Sequence, residues 1–595
     1  MAGVFAGLEN LMCGIAGIML KDGFAADSEM LARLTRGIAH RGPDGSGQFL
    51  AQNVALVHTR LAIIDLATGD QPLFSGPLTL IANGEIYNYI ELRAELPVGY
   101  ATASDCEPPL KLFSRRSEDY AGYLRGMYAI AIHDRAFKTL TLSRDPFGIK
   151  PLYTVQTAAG VAFASEPHAL LDAGLLPREL DFLKLGELLQ LQFSTGRNTV
   201  FKNIERVLPG ETLTLKHGAM QSSRRIEAVE RDEVLAPPVS DEAAVKRLDE
   251  VLEDSVFVHQ RADVPYGMFL SGGVDSAAIL AMMARLNVSP VLAFTAGFDF
   301  AGVADERDAA AETAKAAGAR HERLEISEAM VWEFLPEIVA AMDDPAADYA
   351  IIPTWFLARQ ARRDVKVILS GEGGDEMFAG YGRYRAAARP FPLAKKIRAR
   401  GVFDGLDVLR APPAGWRDGI AAAEQVFCKR PALQRAQMTD IQDWLPHDLL
   451  QKLDRCLMAH GVEGRTPFVD KAVAKFAFSL PAKFLVRNGM GKFLLRLWLE
   501  KNFPAARPFA KKQGFDVPVG AWIAAKGGVL GELVAKNPLV AELAEPARVR
   551  SLFSRASEKR AGFAAWVLLF TALWHRRHIL NLPPAGDVFA TLAAL

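Results

Sequence analysis

The stretch FLSGGVDS at residues 269–276 lies between a strand-like run, YGMFL (266–270), and a helix-like one, SAAILAMMARL (276–286). A strand that turns through glycines into a helix gathers backbone N–H groups and the positive end of the helix dipole around one point, which favours an anion. Gly272 and Gly273 let the main chain approach a phosphate closely, and Ser271 and Ser276 can add hydroxyl donors. A plain glycine turn with Asp275 or Ser276 as helix cap fits the same eight residues. No G-x-x-x-x-G-K-S/T pattern occurs, so a kinase-type or GTPase-type loop is not the explanation.

Working outward, strands and helices alternate. Ser240 offers an N-cap to a helix carrying Val245, Leu248, Val251, Leu252 and Val256 at helical spacing. After the loop come strand VLAFT, helix DERDAAAETAKAAG, strand RLEI, a longer helical region and strand VKVIL. This alternation predicts a parallel sheet covered on both faces. A second loop, LSGEGGDEMFAGY (369–381), follows VKVIL and sets Glu372, Asp375 and Glu376 among glycines. Two loops at the carboxyl ends of parallel strands face one crevice. Asp275 and Asp375 are then placed to share Mg2+, a hard ion that prefers carboxylates, waters and phosphate oxygens. Acids that merely solvate turns are the plain alternative, most reasonably for Glu376. From about Tyr381 the chain is helix-dominated, and GFAAWVLLFTALW (562–574) falls short of the roughly 20 residues needed to span a bilayer. It reads as a buried helix.

Upstream, short runs broken by Gly, Pro and Asp read as strands: NVALVHTRLAIID, LTLIANGEI, MYAIAIHD and TLTLSRD. Helices are expected at about 27–38 and 181–189. The run RRIEAVERDEVLAPPVSDE (224–242) is charged, then proline-broken, as a linker should be. The expected division is a first domain over 13–215, a linker over 216–239 and a second domain over 240–595. Lysine plus arginine equal aspartate plus glutamate at 69 each, which argues against nucleic acid or anionic lipid and for small-molecule partners. Four cysteines (Cys13, Cys106, Cys428, Cys456) make no disulfide scaffold or C-x-x-C pair, and no basic, apolar leader opens the chain, so a reducing cytoplasm is expected.

The second half resembles the pyrophosphate-loop ATP-pyrophosphatase domain of asparagine synthetases, which cut ATP between its α and β phosphates to adenylate a carboxylate. Besides the two loops, GVEGRTPFVDKAVAKFAFSLP, GMGKFLLR and KKQGFDVPVGAW carry the likeness. It implies that Phe269, Ala296, Ser370 and Gly371 surround adenosine and that Ser271, Gly273, Asp275 and Ser276 hold pyrophosphate. It also implies that Glu372 serves the acyl-adenylate step and that Lys512 stabilises charge at the reacting phosphate, unless that lysine is simply solvated beside Lys511.

The first half carries CGIAGI, HRGPDGSG, HTRLAIID, NGEIYNY, SDCE and RDPFGIKPLY in order, and is similar to the glutaminase domain of the N-terminal-nucleophile amidotransferases. The resemblance implies Cys13 as nucleophile and Asn83 with Gly84 as oxyanion hole, although Asn-Gly is also a hairpin signal. Arg60 would grip the glutamine α-carboxylate, with Glu85 and Asp105 near its α-amino group, whereas Cys106 is assigned to packing. An α-amine titrates near 7.7–8.0 and can take the thiol proton. An internal Cys13 would be an ordinary buried cysteine without that base. The expectation is therefore that translation starts at Met12 and that Met12 is removed.

Together the resemblances imply an α+β N-terminal-nucleophile sandwich, antiparallel sheets between helices, followed by an α/β parallel-sheet adenylating domain with a helical C-terminal part. They imply an ATP-dependent ligase using Mg2+, glutamine and aspartate to give asparagine, glutamate, AMP and pyrophosphate. A homodimer is the family habit. Tyr349 stands about where well-known relatives place an aspartate-recognising arginine, so the same chemistry on a cell-wall or polysaccharide carboxylate is the alternative.

Overall fold

The structure, a computed structural model, describes residues 13–42, 44–97, 99–229, 237–300, 306–390, 392–510 and 517–594. Two six-stranded antiparallel sheets lie in the first 225 residues. One runs Ile204–Arg206, Tyr153–Gln156, Gly160–Ala164, Gly14–Leu20, Val54–Arg60, Gly45–Leu50. The other runs Ala219–Arg225, Glu211–Lys216, Thr139–Arg144, Gly126–Asp134, Leu78–Ile86, Leu73–Ser75. Ile15, Met19, Leu56, Ile81, Ala129 and Phe163 fill the space between them. Helices Ser28–Ile38 and Pro167–Asp172 cover the first sheet through Leu31, Leu34 and Leu170, and helix Glu107–Arg116 covers the second through Leu110 and Phe113. Sheets buried on both faces need apolar side chains in both directions, hence runs such as LTLIANGEI.

The expected helices begin where their caps lie. Asp27 accepts from Met30 N at 2.7 Å, Asp181 from Leu183 N at 2.9 Å and Ser240 from Ala243 N at 3.2 Å. Two sequence expectations change. The run NVALVHTRLAIID leaves the sheet after Arg60, because Leu61 donates to the Cys13 thiol and Asp65 takes a left-handed turn (φ +55°). The segment read as a linker begins with a paired strand, Ala219–Arg225.

Residues 266–465 form a five-stranded parallel sheet in the order Arg320–Ile326, Leu292–Phe298, Tyr266–Phe269, Val367–Leu369, Glu463–Arg465. The chain adds strands on one side of Tyr266–Phe269 and then on the other, so the glycine loop opens at the switch point. The fifth strand is absent from the sequence reading. Glu463-Gly464-Arg465 has no apolar alternation, and its charges are buried through partners elsewhere in the chain. Helix Lys559–His578 buries Trp566, Phe570 and Trp574, and no helix among the described residues is long and apolar enough to cross a membrane.

A buried ionic cluster joins the two halves. Arg455 Nε donates to Asp343 at 2.8 Å and its Nη1 lies 3.3 Å from Glu166, while Arg41 reaches both Glu166 and Asp454 (3.1 Å). Arg455→Met takes from Glu166 and Asp343 one of the buried cations they share, leaving Arg41 to Glu166 and His168 to both. It is expected to lower stability by about 3–5 kcal/mol, measurable as a shift in denaturant unfolding.

Candidate active sites

Cys13 stands at the mouth of strand Gly14–Leu20. Its Sγ accepts from Leu61 N at 3.1 Å, and Arg41 Nε donates to its carbonyl at 3.1 Å. Burial pushes the thiol up to about 12, reinforced by the charges of Glu463 and Glu85 and opposed by the Leu61 hydrogen bond and Lys150. Asn83, Gly84 and Glu85 end the buried strand Leu78–Ile86. Asn83 Nδ2 is buried with no hydrogen-bond partner among the described residues, a costly orphan unless something else accepts from it. Gly84 has φ +144°, and a Cβ there would come 2.0 Å from Met127 O, so only glycine fits. The Asn-Gly pair is therefore no hairpin turn; it lies within a strand.

Arg60 closes strand Val54–Arg60, bonding Asp70 Oδ1 at 2.8 Å and the Asp65 carbonyl. Asp105 accepts from Ile86 N at 2.7 Å, yet burial lifts its carboxyl to about 6. Glu85 is also raised, by burial and by Asp105 beside it, and Arg465 Nη2 lies 3.4 Å away. Cys106 is buried in the helical layer over the second sheet, with its Sγ 3.8 Å from Asp105.

In the second half the glycine loop braces itself. Ser271 and Ser276 hydroxyls lie 3.0 Å apart, and Gly273 N donates to Ser271 Oγ at 3.1 Å. Gly272 N donates to a carboxylate oxygen of Glu306 at 3.1 Å, so an anionic oxygen already sits on a loop N–H. The second loop packs directly on the first: a Cβ at Gly371 would meet Asp275 Cβ and Ser276 N at 3.0 Å. Phe269 ends the first strand, Ala296 lies buried in the neighbouring one, and Ser370 N donates to Arg465 O at 2.8 Å. A cavity of about 540 Å³ opens between Gly272, Asp275, Asp375, Arg385, Lys492 and Arg496.

Lys492 Nζ lies between Asp275 and Asp375, 2.6 Å from the latter. Burial opposes its charge, but the two carboxylates hold the ammonium above the usual lysine range. Two hard oxygen donors thus converge within reach of one cation. Glu372 is half-buried, with its Oε1 3.4 Å from Lys452 Nζ. Glu376 solvates no turn; it is buried, and burial together with Asp375 lifts it to about 8. Lys512 falls outside the described residues. Tyr349 packs edge-on against Phe563.

The two centres share a strand pair. Glu463 and Arg465 bear on Cys13 and Glu85 from one side, while Val367–Leu369 next to them runs into Ser370 and Gly371. Sequence reasoning missed Lys492, Lys452, Arg465 and Lys150 as site residues. Lys492 and Arg465 lie in motifs quoted for the resemblance, whereas Lys452 sits in an ordinary helical pattern that carries no signal.

Residues 247–576 match the asparagine synthase family, and residues 12–225 match the glutamine amidotransferase domain. A relative from Mycobacterium tuberculosis (strain ATCC 25618 / H37Rv) is 34% identical, covering 95% of this chain and 97% of that one. Glutamine-hydrolysing asparagine synthetase 1 of Bacillus subtilis (strain 168) is also 34% identical, over 86% of this chain and 88% of that one. Glutamine-hydrolysing asparagine synthetase B of Escherichia coli (strain K12) is 28% identical, over 92% and 89%.

Proposed function

Since the chain belongs to the glutamine-hydrolysing asparagine synthetase family, we propose that its acceptor is aspartate, activated as β-aspartyl-AMP and amidated with ammonia from glutamine. The observation that carries this reading is the strand pair 367–369 and 463–465, which ties Cys13 and Glu85 at one end to the adenylating loops at the other. The passage for ammonia follows that pair.

In the first site the Cys13 α-amine, free once Met12 is removed, takes the thiol proton. The thiolate attacks the glutamine amide carbon. Asn83 Nδ2 and Gly84 N–H stabilise the oxyanion, ammonia leaves with the proton, and water cleaves the thioester to glutamate. Arg60 exchanges exposed Asp70 for the substrate α-carboxylate, while Asp105 and Glu85 receive the ammonium. Asp105 binds that ammonium only when ionised, so kcat/KM for glutamine should rise roughly ten-fold between pH 5 and 7, through the carboxyl at about 6. Asp105→Asn removes that step; a pH profile of glutamine hydrolysis checks it.

In the second site the β-carboxylate attacks the α-phosphorus of ATP and pyrophosphate leaves into the cavity that Arg385, Lys492 and Arg496 line. Ammonia then attacks the acyl carbon, releasing AMP. Ser271, Gly273 and Ser276 cradle the leaving phosphates, Phe269, Ala296, Ser370 and Gly371 surround the adenosine, and Glu372 serves the acyl transfer together with Lys512. Asp275 and Asp375 suit Mg2+, which when bound screens the phosphate charge. A cytoplasmic setting is supported by the four free cysteines. The test supplies Mg-ATP, aspartate and glutamine labelled with heavy nitrogen in its amide. Labelled asparagine with equal AMP is expected; glutamine hydrolysis without asparagine would send the search to larger carboxylates.

A further inference from the structure

Behind Glu372 the structure gathers four charged side chains, two of which, Lys452 and Asp448, are buried. Lys452, on helix Leu450–Met458, places its Nζ 3.4 Å from Glu372 Oε1 and 3.2 Å from Asp348 Oδ2. One turn earlier stands Asp448, fully buried, with neither carboxylate oxygen hydrogen-bonded among the described residues. Asp348 uses its other oxygen on Ala350 N at 2.9 Å. Arg398 completes the set: it pairs with Asp440 at 3.4 Å and lies over the Trp444 ring at 3.9 Å. A buried carboxyl with both oxygens unmet is expensive to keep. It becomes favourable when a cation arrives, and Lys452 beside it has a donor left for an anion, since an ammonium carries three. Opposite charges held a few ångströms apart, next to the residue assigned to the acyl-transfer step, complement a zwitterion.

We propose that this cluster is the acceptor-recognition site, and that it takes a free α-amino acid: Lys452 grips the α-carboxylate while Asp448 and Asp348 seat the α-ammonium, leaving the side-chain carboxylate directed past Glu372 to the ATP loops. The proposal rests on the amidation reading above and names the groups that choose its substrate. A polysaccharide or cell-wall carboxylate lacking the α-ammonium would leave both Asp448 oxygens unmet.

The experiment measures acceptor-dependent pyrophosphate release at saturating Mg-ATP with aspartate, β-alanine and succinate. β-Alanine is aspartate without its α-carboxylate, and succinate is aspartate without its ammonium. A charge-assisted contact of this kind discriminates by roughly 10- to 150-fold, so wild type should prefer aspartate over each analogue by that order in kcat/KM. Lys452→Gln should raise the aspartate KM by about 30-fold, leave the ATP KM unchanged and erase the preference over β-alanine while keeping that over succinate. Asp448→Asn should do the reverse, erasing only the preference over succinate. Retained glutamine hydrolysis certifies that each variant is folded. Variants that discriminate as wild type does, or a Lys452→Gln that loses kcat with aspartate KM unchanged, would overturn the assignment. If wild type hydrolyses glutamine but releases no pyrophosphate with aspartate, the aspartate reading falls, and this assignment with it.

Discussion

Cys13→Ala is expected to abolish glutamine-dependent amide formation, by roughly a thousand-fold or more, while synthesis from ammonium chloride continues at its wild-type rate. The split follows from the architecture, because the nucleophile lies in the antiparallel half, where its thiol accepts from Leu61 N. The size follows from the thiol's surroundings. A buried sulfur raised to about 12 is ionised on the order of once in 100,000 molecules at neutral pH, so a dedicated base must take its proton. The α-amine of Cys13 is the base that an N-terminal nucleophile carries with it. The intact mass of active protein should begin at Cys13, and extending that terminus by one uncleaved residue should reproduce the Cys13→Ala phenotype. Comparing the two nitrogen sources by asparagine production settles both points.

Lys492→Met is expected to be the mirror image, slowing adenylation between a hundred- and a thousand-fold and leaving glutamine hydrolysis intact. Lys492 is the cation that lets Asp275 and Asp375 face each other in a buried setting, and it lines the cavity into which the glycine loop opens. Its removal leaves two carboxylates repelling each other and a developing pyrophosphate with one fewer partner. Pyrophosphate release measured over a range of Mg2+ is the check. Excess Mg2+ should recover part of the Lys492→Met loss by restoring charge between the two carboxylates. A variant that keeps wild-type release would show that Lys492 is only a structural counter-ion.

Much of the fold was legible because local rules carry it. Asp27, Asp181 and Ser240 announce their helices by accepting from the first turn, and LTLIANGEI coincides with the strand Leu78–Ile86. Where a residue's role depends on what lies across the fold, the reading ran out. The strand Glu463–Arg465 has a polar pattern because its partners are Glu85, Glu463 itself and backbone carbonyls rather than a hydrophobic layer. Asn83-Gly84 looks like a turn in one dimension and is an extended pair with an orphaned amide in three. Lys452 has nothing in its neighbours along the chain to set it apart from any lysine on an amphipathic helix.

While the thiol with its oxyanion pair entered only as what the family resemblance implies, the sequence by itself determined two glycine loops, each following an apolar strand. These are matters of residue type at short spacing, where backbone reach and hydrogen-bonding capacity leave few alternatives. Only the tertiary structure decided which charges meet. It brought Lys492 from more than two hundred positions away to Asp275, joined Arg465 to Glu85, and buried Asp448 beside Lys452. Such pairings depend on strand order and helix docking, and the electrostatic energy of a charge is set by the neighbours and the dielectric that packing supplies, neither of which is written in the order of residues along the chain.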